Sequence, residues 1–175
     1  MITAVTKAII VARTPVRERD ATITLYTPIF GIIEARAEGA RAPKAKLGPH
    51  LDPVRRSLVR IVRKNGFVIA DALTENAWGS VKADAPRLRD ALAACAIICA
   101  IAPREEGDEK TWHEINRQFE NGTASARTIL RQFGYGAADV CIRCGRSASR
   151  WYVPDHAPLC TECSAHIPER DIVIL

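Results

Sequence analysis

No run of apolar residues in this sequence approaches the length of a membrane span. The most apolar N-terminal stretch, AIIVA from Ala8 to Ala12, is too short for the core of a secretion signal. A membrane partner is therefore not expected, and the setting read from the sequence is reducing and cytoplasmic. Aromatic residues make up only 6% of the chain, and the first 76 positions hold just Tyr26, Phe30 and Phe67. Some of these must fill a core, so the platform for stacked bases is thin there and phosphate contacts are expected to dominate. No nucleophile–base pair, carboxylate cluster or glycine-rich phosphate loop stands out, and Asp and Glu are scattered, so the chain is not expected to be an enzyme. Internal repeats and low-complexity tracts are also missing.

What the sequence does hold is positive charge in one place. Residues 1–70 carry 13 Lys and Arg against 5 Asp and Glu, a net of +8, whereas residues 71–175 carry 12 against 15, a net of −3. Such asymmetry is the footprint of a nucleic-acid-binding module followed by a near-neutral or acidic one. At 175 residues and 47% hydrophobic, the chain has room for one ordinary domain or two small ones with an appendage.

The appendage is CIRCGRSASRWYVPDHAPLCTEC, Cys141 to Cys163. Its two Cys-x-x-Cys pairs are separated by 15 residues, a spacing that suits one tetrahedral Zn2+ held by Cys141, Cys144, Cys160 and Cys163. Four thiolates fill the coordination shell and leave no open position for water or substrate, so the ion is structural. It would staple a segment too short to bury enough apolar surface for itself. His156 lies inside the loop but is not needed as a ligand. Trp151 and Tyr152 are expected to anchor the loop on neighbouring helices while Arg143, Arg146 and Arg150 face water. Cys95 and Cys99, four apart in ALAACAIICAIA, read as small core hydrophobes.

Residues 3–76 read as strands. ATITLY (21–26) alternates with period two, TAVTKAIIVART (3–14) is β-branched, IIEARAEGAR follows the turn Pro28 to Gly31, and FVIADALTE (67–75) closes the set. The segment VRRSLVRIVRK (54–64) fits a helix face as well as a strand; Asn65–Gly66 before an apolar run is a hairpin signal and favours the strand. Short strands with one long connection suit a small closed barrel of the OB type, with an SH3-like barrel as the alternative. From Asp84 the period becomes helical as far as Pro103. A second helix presents Trp112, Ile115 and Phe119 and ends at Asn121–Gly122; a third presents Ile129, Leu130 and Phe133 and ends at Gly134. Helices this short form a bundle only by leaning on the barrel and the metal loop.

The fold class expected is thus multi-module β plus α: an N-terminal OB-fold β-barrel over 1–78, a small helical domain over 79–137, a four-cysteine zinc finger over 138–166 and a C-terminal tail over 167–175. The loop GARAPKAKLGPHLDP (39–53), between strands, bears Arg41, Lys44 and Lys46 and is the first candidate for contact with a phosphate backbone. Arg13, Arg17, Arg19 and Arg60 are secondary candidates.

The order of parts resembles the bacterial recombination-mediator protein RecO family. The resemblance is carried by RERDATITLYTPIFG (17–31), EGARAPKAKLGPHLDP (38–53), FGYGAADVCIRCGR (133–146) and LCTEC (159–163). It implies a DNA-repair and recombination protein that binds single- and double-stranded DNA, anneals complementary strands and helps load recombinase. It also implies RecR and the acidic tail of single-stranded-DNA-binding protein as partners, in a cytoplasmic, nucleoid-associated setting. Two positions depart from the family. Glu38 stands where a lysine usually begins the basic loop, and the chain ends twelve residues past Cys163, at IPERDIVIL, where the family commonly continues in further helices. The terminal DIVIL is expected to add a strand edge or to fill an apolar groove. Two other readings are a zinc-ribbon and OB protein acting on RNA, and a protein–protein adaptor with a vestigial DNA surface.

Overall fold

A computed structural model describes residues 2–16, 18–42, 45–136 and 138–175. Five strands come first: β1 (Ile2–Pro15), β2 (Ala21–Thr27), β3 (Gly31–Ala37), β4 (Arg55–Arg63) and β5 (Phe67–Asn76). They pair in the order β1-β2-β3-β5-β4, and β4 returns to β1, so the sheet closes into a barrel. All ladders are antiparallel except β3 with β5, which is parallel and limited to Ala35–Phe67 and Arg36–Val68. The long β1 belongs to two ladders, one on each edge, and its register against β2 shifts between Ile10 and Ala12. Its first half pairs with β4 and its second half with β2. A bulge of this kind bends a strand sharply enough to turn a barrel corner.

Alternation decides what fills the interior. Ile10, Ile23, Leu25, Ile33, Val59, Ile61, Phe67 and Ile69 point inward and are almost fully buried. VRRSLVRIVRK resolves as strand β4, with Ser57, Val59 and Ile61 inside and Arg60 outside.

The outer side of β1 and β2 is apolar too, and there the helices sit. These are α1 (Gly79–Lys82), α2 (Ala85–Ile101), α3 (Glu109–Glu120) and α4 (Ala126–Gln132). Asp84, Asp108 and Ser125 cap the last three by accepting from backbone N–H groups in the first turn, which supplies partners for otherwise orphaned donors. The buried face of α2 is mostly small (Ala91, Ala94, Cys95), so α4 packs closely against it. One apolar cluster runs from Ile9, Val11, Tyr26 and Ile32 of the barrel through Ile98, Trp112, Phe119 and Leu130 to Trp151. Within it the Trp112 indole donates to the Tyr26 carbonyl at 2.9 Å, and Trp78 stacks on Phe119. Arg56 crosses the same junction, pairing with Glu75 at 3.1 Å and bonding Asn116 and Glu120 of α3. Gly31 makes the close approach possible: at φ +58° it lies where a Cβ would come within 2.4 Å of the Pro103 and Glu106 carbonyl oxygens.

After α4 the chain forms a small sheet, in the order β7-β6-β8, from β6 (Arg150–Tyr152), β7 (Ala157–Leu159) and β8 (Ile172–Ile174). The terminal DIVIL therefore adds a strand edge, β8 pairing with β6. Among the described residues no helix is long and apolar enough to cross a membrane.

Candidate nucleic-acid interface and metal centre

Most of the barrel's arginines face an acid. Arg36 lies 2.8 Å from Asp20, Arg60 3.7 Å from Asp71 and Arg63 2.8 Å from Glu105. Arg13 and Arg55 share Asp52, at 2.6 and 3.6 Å. Charges paired in this way project little field, so the regions that remain positive matter more than the total.

One cluster of exposed cations stands at an end of the barrel, while Lys7 and Lys64, exposed as well, also form no ion pair among the described residues. At the clustered end the β1–β2 turn and the loop after β3 are stitched side by side: the Arg41 amide donates to the Arg19 carbonyl at 2.9 Å, and Asp20 accepts from the Gly39 amide at 2.9 Å. Arg19, Arg41 and Lys46 are all exposed at this end, and no ion pair is formed by Arg19 or Lys46 among the described residues. Asp20 is occupied by the Gly39 amide and Arg36. Glu38, also exposed, lies 3.6 Å from Arg36. Arg17 and Lys44 belong to the same two connections in sequence and lie outside the described residues.

The other candidates are placed differently. Arg13 is only 21% exposed, and its guanidinium bonds Ala40, Gly48 and Asp52 within the 39–53 loop. Arg60 stands apart from this end, opposite Val5 of β1 and Asp71 of β5, in a shallow depression edged by Leu58 and Leu73. The three aromatics offer little to a base. Tyr26 is buried under the helices, Phe67 closes the barrel interior, and Phe30 is half-buried against Phe67. Sequence reasoning missed Gly48, Asp52 and Arg55, whose roles depend on contacts across the barrel.

The four cysteines of the C-terminal segment converge. Their Sγ atoms all lie within 4.8 Å of one another, and Cys144 and Cys160 stand 3.6 Å apart. An ion held tetrahedrally at about 2.3 Å by four sulfurs separates them by roughly 3.8 Å, so the set fits one metal ion. Local backbone builds each half. In the first, the Cys141 amide donates to the Arg146 carbonyl and the Gly145 amide returns to Cys141; in the second, the Cys163 amide points at the Cys160 sulfur at 3.4 Å. The Arg146 guanidinium beside Cys144 holds that thiol below its ordinary value, while neighbouring thiols, Cys144 first, push Cys163 up to about 12. Four apposed thiols resist full deprotonation unless a cation sits among them. His156 is not in this set: its Nδ1 meets the Tyr135 hydroxyl at 2.8 Å. Trp151 is buried in the helical cluster, Arg143 bonds the Cys163 carbonyl, and Arg146 forms a two-pronged pair with Glu162. Cys95 and Cys99 pack within or against the helical cluster, and burial pushes the Cys99 thiol up to about 11, so neither is poised to react.

Comparison with known proteins bears on the barrel. The family model described as "Recombination protein O N terminal" matches residues 1–71. Over residues 1–71 this chain is similar to the N-terminal part of RecO proteins. The DNA repair protein RecO of Dehalococcoides mccartyi is 31% identical over 101 residues, which is 57% of this chain and 40% of that protein. The DNA repair protein RecO of Geobacter metallireducens is 36% identical over 62 residues, 35% of this chain and 25% of that protein. The matched regions thus span less than half of either relative. All seven candidate DNA contacts fall inside the RecO N-terminal match, and the cysteine centre falls after it.

Proposed function

We propose that this chain is a DNA-repair and recombination protein whose OB-type barrel binds single- and double-stranded DNA, promotes annealing of complementary strands and helps load recombinase. The observation that carries this reading is that Arg19, Arg41 and Lys46 stand exposed together at one barrel end, on two loops stitched side by side. Arg17 and Lys44 join them from the sequence. Cations of this kind release counterions from phosphate and give sequence-independent affinity that weakens with salt. Annealing requires no catalytic residue: neutralising two backbones lowers their repulsion, and base pairing supplies the rest. With little aromatic surface exposed, phosphate contacts dominate.

The ion at Cys141, Cys144, Cys160 and Cys163 is Zn2+ in this reading, with a structural role only, since four thiolates leave no open position. The units are the barrel over 1–78, the helical region over 79–137, the zinc finger over 138–166 and the C-terminal segment over 167–175. RecR and the acidic tail of single-stranded-DNA-binding protein are the partners proposed, in a cytoplasmic, nucleoid-associated setting. The test is the annealing rate of two complementary single strands across a salt series, beside a Lys44→Glu/Lys46→Glu variant. Acceleration that fades with salt and is lost in the variant supports the reading. A folded, zinc-loaded protein that gives no acceleration overturns it in favour of an RNA-binding factor or an adaptor.

A further inference from the structure

We infer that Arg13 does not touch nucleic acid but positions the loop that does, acting with Asp52 as a clamp across the 39–53 segment. Its effect on binding rests on the DNA-binding reading above; its action on the loop does not. From β1 the Arg13 guanidinium reaches both ends of the loop at once. Nη2 donates to the Ala40 carbonyl at 3.0 Å, and Nη1 donates to the Gly48 carbonyl at 3.1 Å and to Asp52 Oδ1 at 2.6 Å. A planar fork with fixed donor directions can serve three acceptors in this way; a lysine ammonium on its flexible stem holds no such geometry.

The surroundings are built for that closure. A Cβ at Gly48 would stand 2.5 Å from the Ala40 oxygen, so only glycine lets the two loop ends meet beneath Arg13. Arg55 completes the second anchor: it bonds the Pro49 carbonyl and Thr74 Oγ1 and lies 3.6 Å from the other oxygen of Asp52. Ser57 donates to the His50 carbonyl at 2.7 Å, and the His50 ring meets Thr74. Residues 48–52 are thereby fixed to β4 and β5, and Ala40 is tied to them through Arg13. Arg41 and Lys46 lie between the two pinned points. Holding their backbone in place removes part of the ordering cost of gripping a phosphate chain. Asp52 neutralises Arg13, which adds little positive field of its own.

The test uses the full-length, metal-loaded chain with Arg13→Lys, Arg13→Met and Asp52→Asn. Tryptic cleavage after Arg41 and Lys46, and amide exchange at Ala42 and Ala45, are expected to accelerate by about tenfold in all three, with strand amides of the barrel unchanged. Unchanged loop protection overturns the clamp whatever happens to DNA. If the Arg13 variants fail to fold, Gly48→Ala keeps every charge and must accelerate the same cleavage. Single-strand binding across a salt series then separates positioning from contact. Asp52→Asn adds net positive charge, so a simple phosphate-binding surface would bind tighter, whereas loss of the clamp weakens binding by about tenfold with an unchanged salt slope. Arg13→Lys weakens it equally under the clamp. Retained affinity in Arg13→Lys, together with a slope reduced by about one in Arg13→Met, would make Arg13 a direct contact and sink the proposal. Should the wild-type chain bind no DNA, the functional reading falls while the loop readouts still decide the clamp.

Discussion

Replacing Cys141 and Cys144 with serine should release the metal segment and leave the barrel's grip intact. Apart from the ion, the segment over 138–166 is held by Arg127 of α4, which bonds the Ala138 and Ala148 carbonyls and Asp139, and by a sheet in which β6 pairs with β7 and β8 over three residues each, too short to persist alone. Its main apolar anchor is Trp151, buried to 1% exposure. A buried tryptophan removes roughly 150–250 Å² from water, worth about 4–6 kcal/mol at about 25 cal/mol per Å² as an upper bound. Ordering about thirty residues opposes this with about 1–2 kcal/mol each, so the anchor cannot replace the ion. Without it Trp151 leaves the helical cluster. The barrel interior, from Ala8 to Ala72, contains no residue of that segment. Hydrogen exchange with mass readout should show 138–166 exchanging as an unfolded chain and β1–β5 still protected, with DNA affinity within about threefold of wild type. The reasoning is refuted if 138–166 stays protected, or if affinity collapses while the barrel remains protected.

Two further substitutions test how the barrel and helices join. Gly31→Ala must place a Cβ against the Pro103 and Glu106 carbonyls at positive φ, and should cost at least about 2 kcal/mol in urea unfolding; a neutral result would mean the linker gives way freely. Asp108, the N-cap of α3, is held below the ordinary carboxylate value by the Thr111 hydroxyl and then its amide. Its folded value is depressed, so its stabilisation is complete above the unfolded carboxylate value and is lost as pH falls through the folded one. Asp108→Asn keeps the cap at neutral pH and should flatten this part of the acid-side decline in the urea midpoint; an unchanged decline would argue against it.

Much of this architecture was legible because its signals are local. Period two in ATITLY, the Asn65–Gly66 hairpin before FVIADALTE, the cap at Asp84 and the cysteine spacing each specify structure within a few residues. The sequence balanced helix against strand at VRRSLVRIVRK, and Arg60 on the outer face with Val59 and Ile61 inside shows why strand prevails. What escaped was non-local. Nothing near Arg13 announces that its partners are Ala40, Gly48 and Asp52, and nothing near Gly31 announces the carbonyls of residues 103 and 106. The single-turn helix α1 escaped as well, since it follows Trp78 in a left-handed conformation (φ 47°) that the sequence does not advertise.

The charge asymmetry, the strongest functional signal in the sequence, has two causes that the structure separates. Arg56, Arg60 and Arg63 meet Glu75, Glu120, Asp71 and Glu105, all from the acidic part of the chain after residue 70. Part of the net +8 is therefore matched by this molecule's own later segments. A footprint scaled to all 13 cations would overestimate the phosphates engaged. The loops at one end offer Arg19, Arg41 and Lys46, joined in sequence by Arg17 and Lys44, so about three to five contacts are expected. On single strands that corresponds to a slope of log K against log salt of about −2 to −3.5. A measured slope steeper than about −6 would mean that the barrel's ion pairs open to the backbone, and that the asymmetry is a binding surface throughout.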